Sequence, residues 1–461
     1  MSFFNRVNVA LEELDEATLD SGEDIAADPD TQELDTVDTS DDVAVSEAEA
    51  EITADNESID EAVEVSEELQ EQAESNEEAL ENPEEVTEEQ VEVAEECLKM
   101  NLARLGMVDM YKEANGQFKL AHESYSSPAE RLQVAQEGIK ETIAKIIEWI
   151  RNLFRKIMLW FKKMYAKLIV MFNRNLSRAK KVKEIVSKRN GGSIDADEYV
   201  ALCVDHPVVG YWLADNSRER LNLDKDAKLV DDIKALVTAV NEAVSNGSNS
   251  KVHTLATNLI TKAAGDNKTL TNLGAELDKF DAGNDNKTEG TAIITNPTSQ
   301  KPKVLYIYQT DGESIKDDKG ADTGKFNLGF EVQYQKVDLE QDTWEGAIKG
   351  KASGIEKKWI QDRLGEIIKS AGKIKKFADN VFKTIDNGGK MANAFANLEK
   401  KVAKTQQGDM TSAGYTKAAN IGRKLAGQAA VDVVIGSIRA QGVAISLLAA
   451  CAKQLDNKKK N

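Results

Sequence analysis

Between Ile139 and Arg189 the chain alternates apolar and polar positions with a helical beat. Apolar residues at 147, 150, 154, 157, 161, 164, 168 and 171 step by three and four, which places them on one face of a single long helix. Ile146, Leu153 and Trp160 widen that face on one flank, and Met158, Tyr165 and Phe172 on the other, so the arc is broader than a two-stranded seam. Opposite it stand Arg155, Lys156, Lys162 and Lys163. The glycines of "NGGS" at 190–193 end this helix. Asp195 followed by Glu198 then forms a capping-box pattern ahead of a short helix through "EYVALCV".

Helical spacing returns across 226–244, 250–264, 268–280, 341–349, 355–380, 385–405 and 415–454. The last of these, with "AAVDVVIGSIRAQGVAISLLAACAK", is nearly apolar all round and rich in small residues, which predicts a buried central helix. Between 290 and 340 the pattern changes. "KVLYIYQT" and "KFNLGFEVQYQKV" are aromatic and branched, with turn formers between them, and predict an antiparallel hairpin around 303–338 with "TAIIT" as a candidate third strand.

Upstream, apolar residues at Val91, Val93, Ala94, Cys97, Leu98, Leu102, Leu105 and Val108 predict helix from about 86 onward. A Ser-Ser-Pro turn at 126–128 follows, where Pro128 can open a new helix. The first hundred residues hold only two aromatic side chains, Phe3 and Phe4, beside runs such as "EEVTEEQVEVAEE". So much charge with so little large apolar surface cannot offset ordering entropy, and about residues 15–85 are expected to be disordered or weakly helical. The expected fold is mainly α: a disordered acidic N-terminal arm over 1–98, a helical junction over 99–137, a long basic amphipathic helix over 138–190, and a helical body over 191–461 carrying the small antiparallel β-hairpin.

Charge sharpens this division. Residues 1–98 hold 36 Asp and Glu against Arg6 alone, a net −35, whereas residues 99–461 hold 58 basic and 44 acidic residues, a net +14. Residues 139–189 supply 15 basic and 3 acidic residues of that total. A one-signed face of this kind suits a polyanion partner. Arg151, Arg155, Lys156, Lys162, Lys163 and Lys167 are the candidates for non-specific phosphate contact. Trp149, Phe154, Trp160, Phe161, Tyr165 and Phe172, with lysine and arginine opposite, also match an interfacial membrane or partner face. A wide apolar arc equally suits a core helix with a solvated basic side.

Catalytic chemistry finds little support. The three histidines, His122, His206 and His253, are far apart, and no His-Glu-x-x-His or paired Cys-x-x-Cys occurs. Cys203-Val-Asp-His206 has metal-ligand types but no second pair. "GADTGKF" at 320–326 is one residue short of a phosphate loop and places Phe326 where a magnesium-binding hydroxyl belongs, so a hairpin turn is expected there. No catalytic residue, metal site or cofactor is assigned. Cys97, Cys203 and Cys451 are too few and too scattered for a disulfide scaffold, and a reducing compartment fits. The start, "MSFFNRVNVALEELDE", lacks the layout of a secretory signal. The longest uncharged run, 440–452, is short for a conventional membrane span.

Two triplets near the change of sign share one form: a small residue, any residue, then Glu, with a small residue next. They are Ala121-His122-Glu123 before Ser124 and Ala135-Gln136-Glu137 before Gly138. The form is common in acidic sequence, and Ala94-Glu95-Glu96 and Ser75-Asn76-Glu77 also match it.

Taken with the acidic arm, the triplets and the helix-rich basic body, the chain resembles the internal head proteins of giant tailed bacteriophages. "KIIEWIRNLFRKIMLWFKKM" and "AISLLAACAK" are also similar to segments of that group. The resemblance implies a virion structural protein, made in the host cytoplasm as an acidic precursor. The phage prohead protease would cut after Glu137 to free Gly138, or earlier after Glu123 to free Ser124. It further implies a place in the capsid interior with other capsid or core proteins and packaged DNA, and some members of the group leave with that DNA, when membrane contact could follow. A net +14 is modest for a DNA-condensing protein, which leaves room for a structural or ejected role. The alternatives are a membrane-interacting effector using the basic aromatic helix, and an uncleaved cytosolic scaffold.

Overall fold

The computed structural model describes residues 40–188, 192–215, 221, 223–246, 250–277, 290–309, 315–316, 322–325, 328–352, 354–370, 377, 380–381, 383–384, 418 and 420–457. The chain forms two compact units that divide between Trp160 and Phe161. The arm upstream of Ser40, and the helix expected over 385–405, lie outside the described residues.

The first unit is helical. Helix α1 spans Ser40–Leu80, α2 Glu88–Arg104 and α3 Val108–Ser124; α4 begins at Pro128 and contributes residues to Trp160. Where residues 15–85 were expected to be disordered or weakly helical, the stretch from Ser40 to Leu80 is one continuous helix. A short 3₁₀ turn, Pro83–Glu85, links it to α2. The buried positions of α1 explain the difference. Asp55, Ile59, Ala62, Ser66, Leu69, Ala73 and Asn76 step by four and three along its length. They form a seam whose members are mostly small or polar, so its periodicity is that of a coiled coil although its side chains are not.

Helix α2 opens on a capping box in which the Gln90 N–H donates to Thr87 Oγ1 (3.3 Å) and the Thr87 N–H donates to Gln90 Oε1 (2.9 Å). It ends at Gly106, whose φ of 66° is open to glycine without strain. The Gly106 N–H donates to Ala103 O (3.0 Å) and the Met107 N–H to Leu102 O (2.9 Å), which closes the turn before α3. The single helical stretch expected from 86 is thus two helices, and Val93 and Val108 are exposed rather than packed.

The second unit contains the rest of α4, which ends at Lys188, and then β1 (Ser193–Ile194), α5 (Ala196–Leu202), α6 (Pro207–Ala214), α7 (Leu223–Asn246), α8 (Ser250–Lys262) and α9 (Ala264–Asn272). The expected capping box opens α5, with the Glu198 N–H on Asp195 Oδ1 at 2.9 Å and the Asp195 N–H on Glu198 Oε2 at 3.1 Å. Strands β2 (Gly290–Asn296), β3 (Lys303–Gln309) and β6 (Phe330–Lys336) make an antiparallel sheet in the order β2-β3-β6, so "TAIIT" is the third strand. Between β3 and β6, strands β4 (Ile315–Lys316) and β5 (Asp322–Lys325) form a second small hairpin. The described part of "GADTGKF" is therefore strand; Gly320, Ala321 and Phe326 lie outside the described residues. Helix α10 (Gln341–Lys351), β7 (Ile355–Glu356, paired with β1) and α11 (Lys357–Ser370) follow.

Helix α12 (Ala430–Asn457), entered through a π-helical turn at Lys424–Ala429, is the centre of this unit. Val431, Val434, Ile435, Ile438, Ile445, Leu448 and Cys451 are all buried, as the sequence predicts for a helix apolar on every side. It packs on β2, α7 and α11. Continuous with its approach, the apolar stretch Asn420–Leu455 is long enough to cross a membrane by composition, yet 67% of its most apolar window is buried in protein. Gly436 sits so near the β2 backbone that a Cβ there would lie 2.3 Å from Thr295 O. Two polar groups of α12 are tied off: Ser437 Oγ donates to Asp226 Oδ2 (2.6 Å), and Gln441 Nε2 donates to Ser370 Oγ (3.1 Å).

Candidate processing site

The two candidate bonds lie in the first unit in opposite environments. Helix α3 buries Ala114, Phe118 and Ala121 and ends at Ser124, after which Tyr125 is extended (φ −119°, ψ 128°). The residues from His122 to Ser126 are all exposed. The Glu123–Ser124 bond thus falls at a helix end, where the last carbonyls have no helical partner, beside a short exposed connection to Pro128. Exposed connections of this kind are where proteases cut native chains.

That connection is flanked by a chain of polar contacts. His122 Nδ1 accepts from Arg131 Nη1 (2.9 Å), because a guanidinium only donates, and His122 Nε2 donates to Glu95 (2.9 Å). Arg131 also pairs with Glu88. The start of α4 is so fixed to the end of α3 and to α2.

The Glu137–Gly138 bond lies well inside α4. Glu137 is exposed, but Ala135 and Gln136 are buried, and Gly138 is half-buried. Gln136 is hydrogen-bonded to α1 three times. Its Nε2 donates to Ala73 O (3.0 Å) and Glu77 Oε1 (3.3 Å), and its Oε1 accepts from Asn76 Nδ2 (3.2 Å). At Gly138 a Cβ would lie 3.2 Å from Leu98 Cδ2 and 4.0 Å from Phe118 Cε1, so α2 and α3 approach α4 where it lacks a side chain. The small residue after this Glu is explained by helix packing.

Acidic arm and basic helix are joined along their length. Lys140 pairs with Glu77 (2.6 Å), and at the other end of the seam from Asn76, Asp55 pairs with Lys156 (3.0 Å). The contacts Asp55 with Lys156 and Asn76 with Gln136 make α1 antiparallel to α4, with matched spans of about 30 Å at 1.5 Å per residue. Both side chains of the Lys156–Asp55 pair are largely buried, with 12% and 5% exposure. Burial raises the Asp55 pKa above the usual carboxylate value, and the Lys156 ammonium only partly offsets this. On the outside, Arg104 of α2 reaches Glu61, Glu64 and Glu68 of α1, one cation among three carboxylates.

The remaining sequence-assigned positions divide in two. Arg155 and Lys167 are exposed, whereas Lys156 is spent on Asp55. Trp149 and Phe172 are buried and Trp160 is half-buried, so these members of the apolar face already meet protein. Arg151, Phe154, Phe161, Lys162, Lys163 and Tyr165 have helical backbone, but their side chains lie outside the described residues. Cys203 is buried, and burial pushes its thiol up to about 12, while His206 Nδ1 is 2.8 Å from Thr298 O. Among the described residues no three His, Cys, Asp or Glu side chains gather as a metal site.

One comparison decides the family. The model of the phiKZ-like phage internal head proteins matches residues 47–454. The chain belongs to the phiKZ-like phage internal head proteins. No match occurs among curated proteins or among solved structures. This internal head protein is therefore a structural component of the phage capsid interior, and the match covers α1 as well as the helical body. The arm helix, in a stretch that composition predicts to be disordered or weakly helical, lies within the matched residues from 47 onward. What could have revealed it is the three-and-four spacing from Asp55 to Asn76, carried largely by Ala, Ser, Asp and Asn in place of a run of large apolar residues.

Proposed function

We propose that this internal head protein is made as a precursor whose acidic arm covers the first part of α4 until the prohead protease removes it. The observation that carries the reading is the exposed Glu123–Ser124 bond at the end of α3, with every arm helix on its N-terminal side. Residues 1–123 carry 39 acidic and 5 basic residues, and residues 124–461 carry 41 and 54, so the cut separates a fragment of net −34 from one of net +13. Cutting at Glu137–Gly138 instead gives −35 and +14. Within the precursor, Asp55, Glu77 and Glu88 occupy Lys156, Lys140 and Arg131, as an electrostatic cover would.

Freed of its arm, the basic body meets packaged DNA through non-specific phosphate contact, with Arg155 and Lys167 among the exposed cations. N-terminal sequencing of the particle-associated form tests the processing: it should begin at Ser124 or Gly138. Abundant peptides from residues 1–98 in purified particles would refute it. DNA affinity of the processed form should fall steeply with salt, and an interaction indifferent to salt would remove phosphate contact from the proposal.

A further inference from the structure

We infer that the two candidate bonds are cut in a fixed order, Glu123–Ser124 first, because the arm helices shield Glu137–Gly138 until they have left. The inference rests on the processing reading above and adds its regulation. A protease takes its substrate as an extended strand, so a bond inside a helix is cut only after local unfolding. At Glu123–Ser124 the opening is smaller: it frays the last turn of α3 and frees Ala121 and the His122 contacts to Glu95 and Arg131, but the residues from His122 to Ser126 are exposed and Tyr125 is already extended.

At Glu137–Gly138 the same requirement would dismantle the unit. Extending residues 135–138 breaks hydrogen bonds within α4, removes Gln136 from Ala73 O, Asn76 and Glu77, and pulls Gly138 away from Leu98 and Phe118. Three helices, α1, α2 and α3, are thus holding the second bond. All three lie N-terminal to the Glu123–Ser124 bond, save for Ser124, the last residue of α3. The first cut removes the covalent tether, so their docking becomes an encounter between separate molecules and loses the effective concentration that the chain supplied. Once they leave, the new N-terminus is 13 residues from Glu137 on a helix that has lost its partners. Gln136, the unconstrained middle residue of the triplet, is then the latch between arm and bond.

The test is a time course of intact mass for the full chain incubated with the phage prohead protease. Wild type should pass through 124–461 before 138–461 accumulates, and Glu137→Gln should stop at 124–461. In Glu123→Gln, cleavage after Glu137 should be slowed by about tenfold or more. Adding Leu69→Asp, which puts a charge in the buried α1 seam, should restore cleavage after Glu137 in the Glu123→Gln chain. Cleavage of Glu123→Gln after Glu137 at the wild-type rate would overturn the order while leaving processing intact. Failure of Leu69→Asp to restore it would overturn the shielding. A wild-type chain cut at neither bond would instead sink the processing reading itself.

Discussion

Replacing Lys156 by methionine should loosen the arm helix far more than replacing the whole ion pair. Lys156 Nζ lies 3.0 Å from Asp55 Oδ1, with side chains 12% and 5% exposed, so neither charge is well hydrated. Methionine keeps the length and bulk of the lysine stem and leaves the Asp55 carboxylate without its cation. Breaking a buried pair in this way costs about 3–5 kcal/mol, because the remaining charge stays desolvated. A double replacement, Asp55→Leu with Lys156→Met, removes the desolvated charge as well and should fall close to wild type or above it. Native-state hydrogen exchange across α1 reads the difference without requiring the whole chain to unfold in one step. A loss of about 3 kcal/mol lowers protection of the α1 amides by roughly a hundredfold or more. The sign of the pH dependence is also fixed. The folded Asp55 pKa is raised, so the native state holds its proton to higher pH than the unfolded chain does. Its contribution to stability is present in acid and is lost as pH rises from the ordinary aspartate value of 3.8 through the raised folded value. Protection in the Lys156→Met chain should therefore recover as pH is lowered. Protection in that variant within about twofold of wild type at pH 7, or a double variant as damaged as the single, would show that the pair is solvated and refute the reasoning.

Other outcomes follow from the second unit. Gly436→Ala should lower the melting temperature sharply or prevent soluble expression, because its Cβ would fall 2.3 Å from Thr295 O; a melting temperature within about 2 °C of wild type would mean that α12 does not press on β2 as described. Cys203 has its pKa pushed up to about 12 and Cys451 is raised as well, in both cases first by burial. Their folded values exceed the unfolded ones, so the fold favours the protonated thiols. Stability should be full below about pH 8.5 and fall as pH climbs toward 12, while Cys203→Ala flattens that decline. Both thiols should resist a thiol reagent in the native protein at pH 8, and rapid native labelling would contradict their burial. Thr87→Ala, which removes the capping box of α2, should cost about 1 kcal/mol and show as lower exchange protection in the first turn of that helix.

Much of the fold was legible wherever a single chain segment carried its own signal. Pro128 opens α4, the Asp195 and Glu198 pair opens α5, and the branched runs at 291–295, 304–308 and 330–334 pair as one sheet. Helix α1 was not legible by composition, because it buries few large side chains of its own, Ile59 and Leu69 among them, and most of its seam is small or polar. Leu132, Ile139, Ile146 and Leu153, seven residues apart on α4, are fully buried, and α1 contributes Ala62, Ser66 and Ala73 to the same unit. An aromatic count sees only one side of such a pairing. The Glu137 triplet is ambiguous for a related reason: its Ala and the Gly after it are small where helices pack, and a cleavage pattern cannot distinguish that from a protease's preference. Exposure separates the two triplets, and exposure depends on partners as distant in sequence as Ala73 and Gln136.

The antiparallel seam between Asp55 and Asn76 also sets which lengths of arm the fold will accept. Inserting or deleting one residue there turns every later side chain of α1 by about 100°, and would carry Leu69 and Ala73 off the buried face. A change of seven returns them almost to register, out by only about 20°. Drift in the size of this arm should therefore come in sevens within the seam, and relatives whose arms differ there by other amounts should carry compensating changes on the facing stretch of α4.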